Sequence, residues 1–140
     1  MEIYLNMVPP TVTAQEHKVM IKNGKPMFYL PEKLKLARQE LFWKLHPNRP
    51  KEPLKGAIKL DVVWMFPKGT KHKHREWRIT KPDTDNLEKL LKDVMTDLGF
   101  WVDDAQVVVE HVEKFWSSGP IGIQIKIEQL DKFKEDGIIE

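Results

Sequence analysis

Four aspartates bracket one strongly patterned stretch of this 140-residue chain. In KPDTDNLEKLLKDVMTDLGFWVDDAQVV, Asp83 and Asp85 stand just before an apolar-periodic run and Asp103 and Asp104 just after it. Carboxylates this close repel one another, so something must offset the repulsion. A single aspartate before a helix reads as a cap, where Asp is favoured and its charge suits the positive end of the helix dipole. A single aspartate after it reads as a turn leading into a strand. Two at i and i+2, followed by a second pair, exceed what caps and turns require. Three or more carboxylates, with no thiolate and no obvious histidine partner, suit a hard oxygen-preferring cation, Mg²⁺ or Mn²⁺. Such a cation lowers the pKa of a bound water and polarises a phosphoryl oxygen. Asp85, Lys89 and Asp93 lie at i, i+4 and i+8, on one stripe. That stripe is either a solvated ion-pair ladder, worth about a few tenths of a kcal/mol per pair, or the place of a lysine that meets charge developing in a transition state. D-x-D alone does not choose an enzyme class, since glycosyltransferases, phosphatases and calcium loops all use it.

Directly upstream runs KGTKHKHREWRITK, which supplies Lys68, Lys71, Lys73, Arg75, Arg78 and Lys81, with His72, His74 and Trp77 interleaved. Beside a carboxylate cluster, a basic run of this kind is expected to bind DNA phosphate, because neutralising phosphates releases counterions without reading sequence. A solvated loop of no specific role is the plainer alternative. Trp77 either stacks on an unpaired base, as aromatics do with single strands, or anchors the loop on the core. Charge along the chain follows the same division. Residues 1–82 hold 17 lysines and arginines against 7 acidic residues, and residues 83–140 hold 6 against 14. A basic surface for a polyanion beside an acidic site is one reading of that asymmetry; mutual neutralisation of opposing faces is the other.

The elements that must position these residues are legible in outline. Leu87, Leu90, Leu91, Val94, Met95 and Leu98 recur at helical spacing, which predicts a helix over 86–98 with Gly99 at its C′ position. Ile58, Leu60, Val62, Trp64 and Phe66 alternate, and Val63 and Met65 make the second face partly apolar, which predicts a central strand. Strands are also expected over 2–8, 107–116 and 121–128, and a hairpin over 18–30 around Asn23-Gly24. Pro31 suits a helix start. Leu34, Ala37, Leu41 and Leu45 mark its apolar face, widened by Phe42 and Trp43, and His46-Pro47 ends it. Lys51 to Lys55 reads as a polar connector, and the tail from Asp131 as frayed. The expected fold is α+β (mixed α/β): one domain over 1–140, with about five strands and two main helices packed on the sheet.

Composition narrows the function further. With no cysteine, disulfides, thiolate metal sites and cysteine nucleophiles are excluded, and a reducing cytoplasm is the natural setting. The first ten residues do not read as a signal peptide. No run is long and apolar enough for a membrane span. No Gly-rich phosphate loop points to a nucleotide cofactor, which weighs against a D-x-D sugar-phosphate enzyme. A metal-dependent enzyme acting on DNA phosphate and a catalytically silent DNA-binding protein remain, separated by whether the carboxylates and Lys89 do chemistry.

The stretch DTDNLEKLLKDVMTDLGFWVDDAQVV resembles the signature of the RusA family, the Holliday-junction resolvases of bacteria and their prophages. The family pattern is D-x-D-N-L-x-K, a helix ending in Gly-Phe-Trp or similar, and D-D-x-Q-V. Asp83, Asp85, Asn86, Leu87, Lys89, Gly99, Asp103, Asp104, Gln106 and Val107 fall on it. The close match covers about a fifth of the chain, and the basic run looks longer here than in compact members. The resemblance implies a magnesium-dependent endonuclease that cuts four-way DNA junctions as a homodimer, in recombination and repair. It implies metal-binding aspartates at Asp83, Asp85 and Asp104, a catalytic lysine at Lys89, and supporting places for Asp103 and Asp93. Geometry adds an expectation. A helix over 86–98 is roughly 20 Å long, and Asp104 follows its end by six residues. Unless the chain folds straight back along the helix, Asp104 meets Asp83 and Asp85 only across a dimer.

Overall fold

The computed structural model describes residues 1–13, 18–22, 24–29 and 32–135. Six strands and two α-helices follow in the order β1 (Glu2–Leu5), β2 (Lys18–Lys22), β3 (Lys25–Tyr29), α1 (Glu32–Leu45), β4 (Ile58–Pro67), α2 (Thr84–Asp97), β5 (Val107–Ser117) and β6 (Gly122–Gln129). Short 3₁₀ turns at His46–Asn48 and Asp104–Gln106 complete it. The α+β class is as expected. The strand count differs: among the described residues the main sheet has four strands in the order β1-β6-β4-β5, and β2 and β3 form a separate pair. Lys22 lies opposite Lys25, so the turn spans two residues. Gly24 takes the positive φ of 74° that such a turn demands, while Asn23, Leu30 and the expected helix start at Pro31 lie outside the described residues.

β4 is central, as its two apolar faces require. It pairs parallel with β5, Trp64 opposite Lys114, and antiparallel with β6, Val62 opposite Ile125. A parallel pair needs a crossover, and α2 supplies it. Leu87, Leu90, Leu91, Val94, Met95 and Leu98 are all buried, with Leu60, Val62, Trp64, Ile123 and Ile125 in the same core. α1 adds Leu34, Leu41 and Leu45. Trp43 does not widen that face: it is 66% exposed. At ~100° per residue it points some 200° from Leu41, and it packs edge-on against Phe42 instead. Residues 131–135 form no strand or helix, and 136–140 lie outside the described residues. Among the described residues, no helix is long and apolar enough to cross a membrane.

The β4-α2-β5 unit fixes where the aspartates can be. In a parallel crossover the helix starts beside the C-terminal ends of its two strands and finishes beside the N-terminal end of the second. Asp83 and Asp85 therefore sit at one end of α2, with the basic segment that leaves β4. Asp103 and Asp104 sit at the other end, where β5 begins.

Candidate active site

Asp83 holds the N-cap position of α2 in extended backbone (φ −72°, ψ 151°), yet its side chain makes no capping hydrogen bond. The position is that of a cap and the carboxylate is not spent on it. Asp85, in the first turn, accepts from the backbone N–H of Asn86 through Oδ1 at 3.0 Å. Both carboxylates face solvent. Lys89 follows one turn later, 60% exposed along its side chain and 4.0 Å from Asp93. Asp93 also pairs with Arg38 of α1 at 3.6 Å, so its charge serves a link between the two helices.

The far end of α2 is built as rigidly. Gly99 takes φ +78° and donates to Thr96 O, and Phe100 N–H reaches Met95 O; this pair of bonds closes the helix around a left-handed C′ residue. Phe100 and Trp101 are buried, and Trp101 Nε1 donates to Thr96 Oγ1 at 2.8 Å. The expected polar connector joins here, since Leu54 bridges Trp101 and donates to Phe100 O. Asp103 then caps the 3₁₀ turn, its Oδ1 accepting from Ala105 N–H at 2.8 Å. That is the plain structural role of an aspartate in this place, and it separates Asp103 from its neighbour. Asp104 lines an open cleft with Arg38, Asp93, Asp97 and Asp103.

Gln106 was on the motif but carried no assigned role. Its Oε1 accepts from the N–H groups of Val102 and Asp103, and its Nε2 donates to the carbonyls of Leu54 and Gly56. All four partners are backbone, so the side chain clamps the loop that carries Asp103 and Asp104.

Among the described residues, no three His, Asp or Glu side chains of one chain gather into a group able to hold a metal ion. Asp83 and Asp85 stand at the start of α2, whereas Asp103 and Asp104 line an open cleft with Asp93 and Asp97 at its far end without closing on one another.

The basic segment is folded onto the sheet edge. Arg75 N–H donates to Trp116 O, Trp116 N–H to Glu76 O, and Arg78 N–H to Lys114 O, so residues 75–78 run along the C-terminal half of β5. Arg75 takes an uncommon left-handed φ of 70° to make that turn. His72 stacks on Trp116 with ring centroids 4.1 Å apart and bonds Glu76 at 2.5 Å. That bond holds the Glu76 carboxyl below the usual carboxylate range. His74 accepts from Ser118 N–H. Both histidines thus shape the loop. Arg78 has structural contacts of its own within the segment. Its guanidinium lies over the rings of Phe66 and Trp116, at 4.3 and 4.4 Å, and donates to Lys81 O. Lys71, Lys73, Arg75 and Lys81 remain exposed and Lys68 half-exposed. Trp77 is bridged to Phe115 through its backbone and meets that ring edge-on, yet stays 61% exposed. It anchors the segment and still presents an indole face.

A buried carboxyl stands beneath α2. Glu88 lies three residues before Leu91 and seven before Met95, on the apolar face, and is 2% exposed. Trp64 Nε1 donates to its Oε1 at 3.0 Å, while Oε2 has no partner. Burial raises its pKa to about 7, with Glu110 adding to the rise. The unfolded carboxyl titrates near 4.5, so the folded chain holds the extra proton between the two values. Stability from this group is therefore greatest below pH 4.5, falls as pH rises to about 7, and is flat above. The total loss is at most about 3 kcal/mol. Glu88→Gln keeps an acceptor for Trp64 and removes the titration. Urea unfolding at pH 5 and pH 8 should show the variant gaining on the parent at the higher pH.

Comparison with known proteins finds one matching family and relatives of about one-third identity. The family model described as "Endodeoxyribonuclease RusA" matches residues 8–128. A protein of Lactococcus phage r1t, "Crossover junction endodeoxyribonuclease rusA", is 32% identical over 109 residues, covering 76% of this chain and 80% of that protein. "Uncharacterized protein YqaN" of Bacillus subtilis (strain 168) is 33% identical over 111 residues, covering 71% of this chain and 78% of its own length.

Proposed function

The chain belongs to the RusA endodeoxyribonuclease family, and from that premise we propose that it is a Mg²⁺-dependent, structure-selective endonuclease of the cytoplasm. In this reading it resolves four-way DNA junctions as a homodimer, by paired phosphodiester hydrolysis. The observation that carries it is Asp83: an exposed carboxylate at a helix start, unspent on capping, two residues from Asp85 and below a cationic loop. Aspartate oxygens of this kind fit a hard cation. Asp83, Asp85 and Asp104 would hold it, with Mn²⁺ a possible substitute, and it would supply an activated water and a polarised phosphoryl oxygen.

The chain's own residues do the rest. Lys89, exposed on the same stripe as Asp85, meets negative charge that develops on the phosphoryl oxygens. Asp93 restrains Lys89 from the next turn. Asp103 and Gln106 hold the backbone that carries Asp104. Lys68, Lys71, Lys73, Arg75 and Lys81 bind the backbone phosphates of the junction arms, and Arg78 stiffens the segment they stand on. Incubation with a four-way junction, a linear duplex and a flap, each with and without Mg²⁺, tests the reading. Cleavage confined to the branched substrate and to the Mg²⁺ lanes is expected; junction binding with no cleavage under any condition would make the chain a silent binder.

Neutralising Lys71, Lys73 and Arg75 together tests the loop. Junction affinity should fall, and the slope of log affinity against log salt should flatten by about 2 to 3. An unchanged slope, measured by titration at several salt concentrations, would remove these residues from the phosphate contacts.

A further inference from the structure

We propose that Lys114 is a positioning residue for the metal site: its ammonium fixes the backbone that delivers Asp83 and thereby sets where that carboxylate meets a divalent cation. This rests on the reading of Asp83 as a metal ligand.

Lys114 stands on β5 opposite Trp64 of β4. It is half-buried, in the strand sequence VEHVEKFWS, where a solvated role would be the default. Its Nζ instead donates to two carbonyls of the segment before α2, Thr80 O at 2.7 Å and Pro82 O at 2.7 Å. The carbonyl between them, Lys81 O, is taken by the guanidinium of Arg78, from Nε at 3.1 Å and Nη2 at 2.6 Å. Three successive carbonyls are thus held by two cations, Lys114 on β5 and Arg78 on the segment that runs along it. Pro82 is buried, and the next residue is Asp83. Because the Asp83 side chain makes no capping bond, nothing beyond its own rotamers and this backbone determines where the carboxylate goes. A loop held this way arrives at the cation already ordered, whereas a loose one must be ordered on binding.

The electrostatics agree with that placement. Burial and the neighbouring Arg78 charge push the Lys114 ammonium down, and the Asp83 carboxylate pushes it up.

The test uses the 140-residue chain and Mn²⁺ alone, with affinity followed by electron paramagnetic resonance and folding by thermal unfolding. Lys114→Met should weaken Mn²⁺ binding by about 10-fold or more, the usual range for groups that orient a ligand. Lys114→Arg keeps the charge and the donors and should recover most of the affinity. A role confined to holding the fold would lower the unfolding midpoint of Lys114→Met and leave Mn²⁺ affinity at the parent value, which would overturn the proposal. Asp83→Asn, measured in parallel, separates the two ideas. If Asp83→Asn loses Mn²⁺ and Lys114→Met does not, Lys114 is not a positioning residue and the ligand stands. If Asp83→Asn binds Mn²⁺ as the parent does, Asp83 is not a ligand and this inference falls with it. Lys114→Leu, which keeps an apolar stem and no donor, replaces Lys114→Met in the same comparison if the latter does not fold.

Discussion

Asp83→Asn, Asp85→Asn and Asp104→Asn each lower junction cleavage by about 10³-fold or more, while junction binding stays level or tightens. A cation that polarises a phosphoryl oxygen and activates a water supplies several kcal/mol of transition-state stabilisation, and each ~1.4 kcal/mol lost is tenfold in rate. Asparagine keeps the size of the side chain and one oxygen but removes the charge that a hard cation needs. It also removes a negative charge that repels the DNA backbone, hence the unchanged or tighter binding. Asp103→Asn is the internal control. Asp103 accepts from Ala105 N–H as the cap of a 3₁₀ turn, and Asn caps about as well as Asp. It should keep most of its activity, although the motif places it beside Asp104. Single-turnover cleavage of a labelled junction, with binding measured in Ca²⁺, reads all four variants. Near-parent cleavage by any of the first three would remove that residue from the site, and inactivity of Asp103→Asn would show that its carboxylate does more than cap.

The leucine stripe of α2 was legible because burial of one helix face demands a 3.6-residue period, and every member of the stripe is buried. The centrality of β4 was legible because a strand covered on both faces must be apolar on both. The separate sheet of β2 and β3 was not, because alternation within a strand does not reveal its neighbour. The same limit applied to Lys114 and Arg38, charged residues whose partners stand more than thirty and fifty residues away along the chain. Glu88 is the opposite case: its place among Leu87, Leu91 and Met95 was visible, and a charged residue on an apolar face marks a buried polar contact. In the basic segment, charge alone could not tell Arg78 from Lys71, since stacking of Arg78 on Phe66 and Trp116 depends on a strand pairing that local sequence does not encode.

A mixed dimer of one Asp83→Asn chain and one Asp104→Asn chain should nick a four-way junction in one strand, whereas both parental variant homodimers are inactive. The topology supports this expectation. A parallel β4-α2-β5 crossover holds Asp83 and Asp85 at the start of α2 and Asp104 beyond its end, and α2 has 14 residues, roughly 20 Å at 1.5 Å per residue. The buried Phe100 and Trp101 and the Gln106 clamp hold the Asp104 loop at its own end of the helix. Within one chain Asp104 instead faces a cleft with Asp93, Asp97 and Arg38, a concentration of negative charge that a cation from outside the chain would relieve. Resolution of a junction requires two cuts related by a two-fold axis, and two chains related by C₂ symmetry match that substrate. If Asp104 of the partner subunit completes the site begun by Asp83 and Asp85, the mixed dimer has one composite site lacking both aspartates and one retaining all three. The intact site nicks once. If each chain carries its whole site, both sites are damaged and the mixed dimer cuts nothing. Co-expression with two different affinity tags, tandem purification and a denaturing gel of end-labelled junction strands distinguish a single nick from none. An inactive mixed dimer of normal junction affinity would place each site within one chain and would require the Asp104 loop to move along α2 on binding DNA.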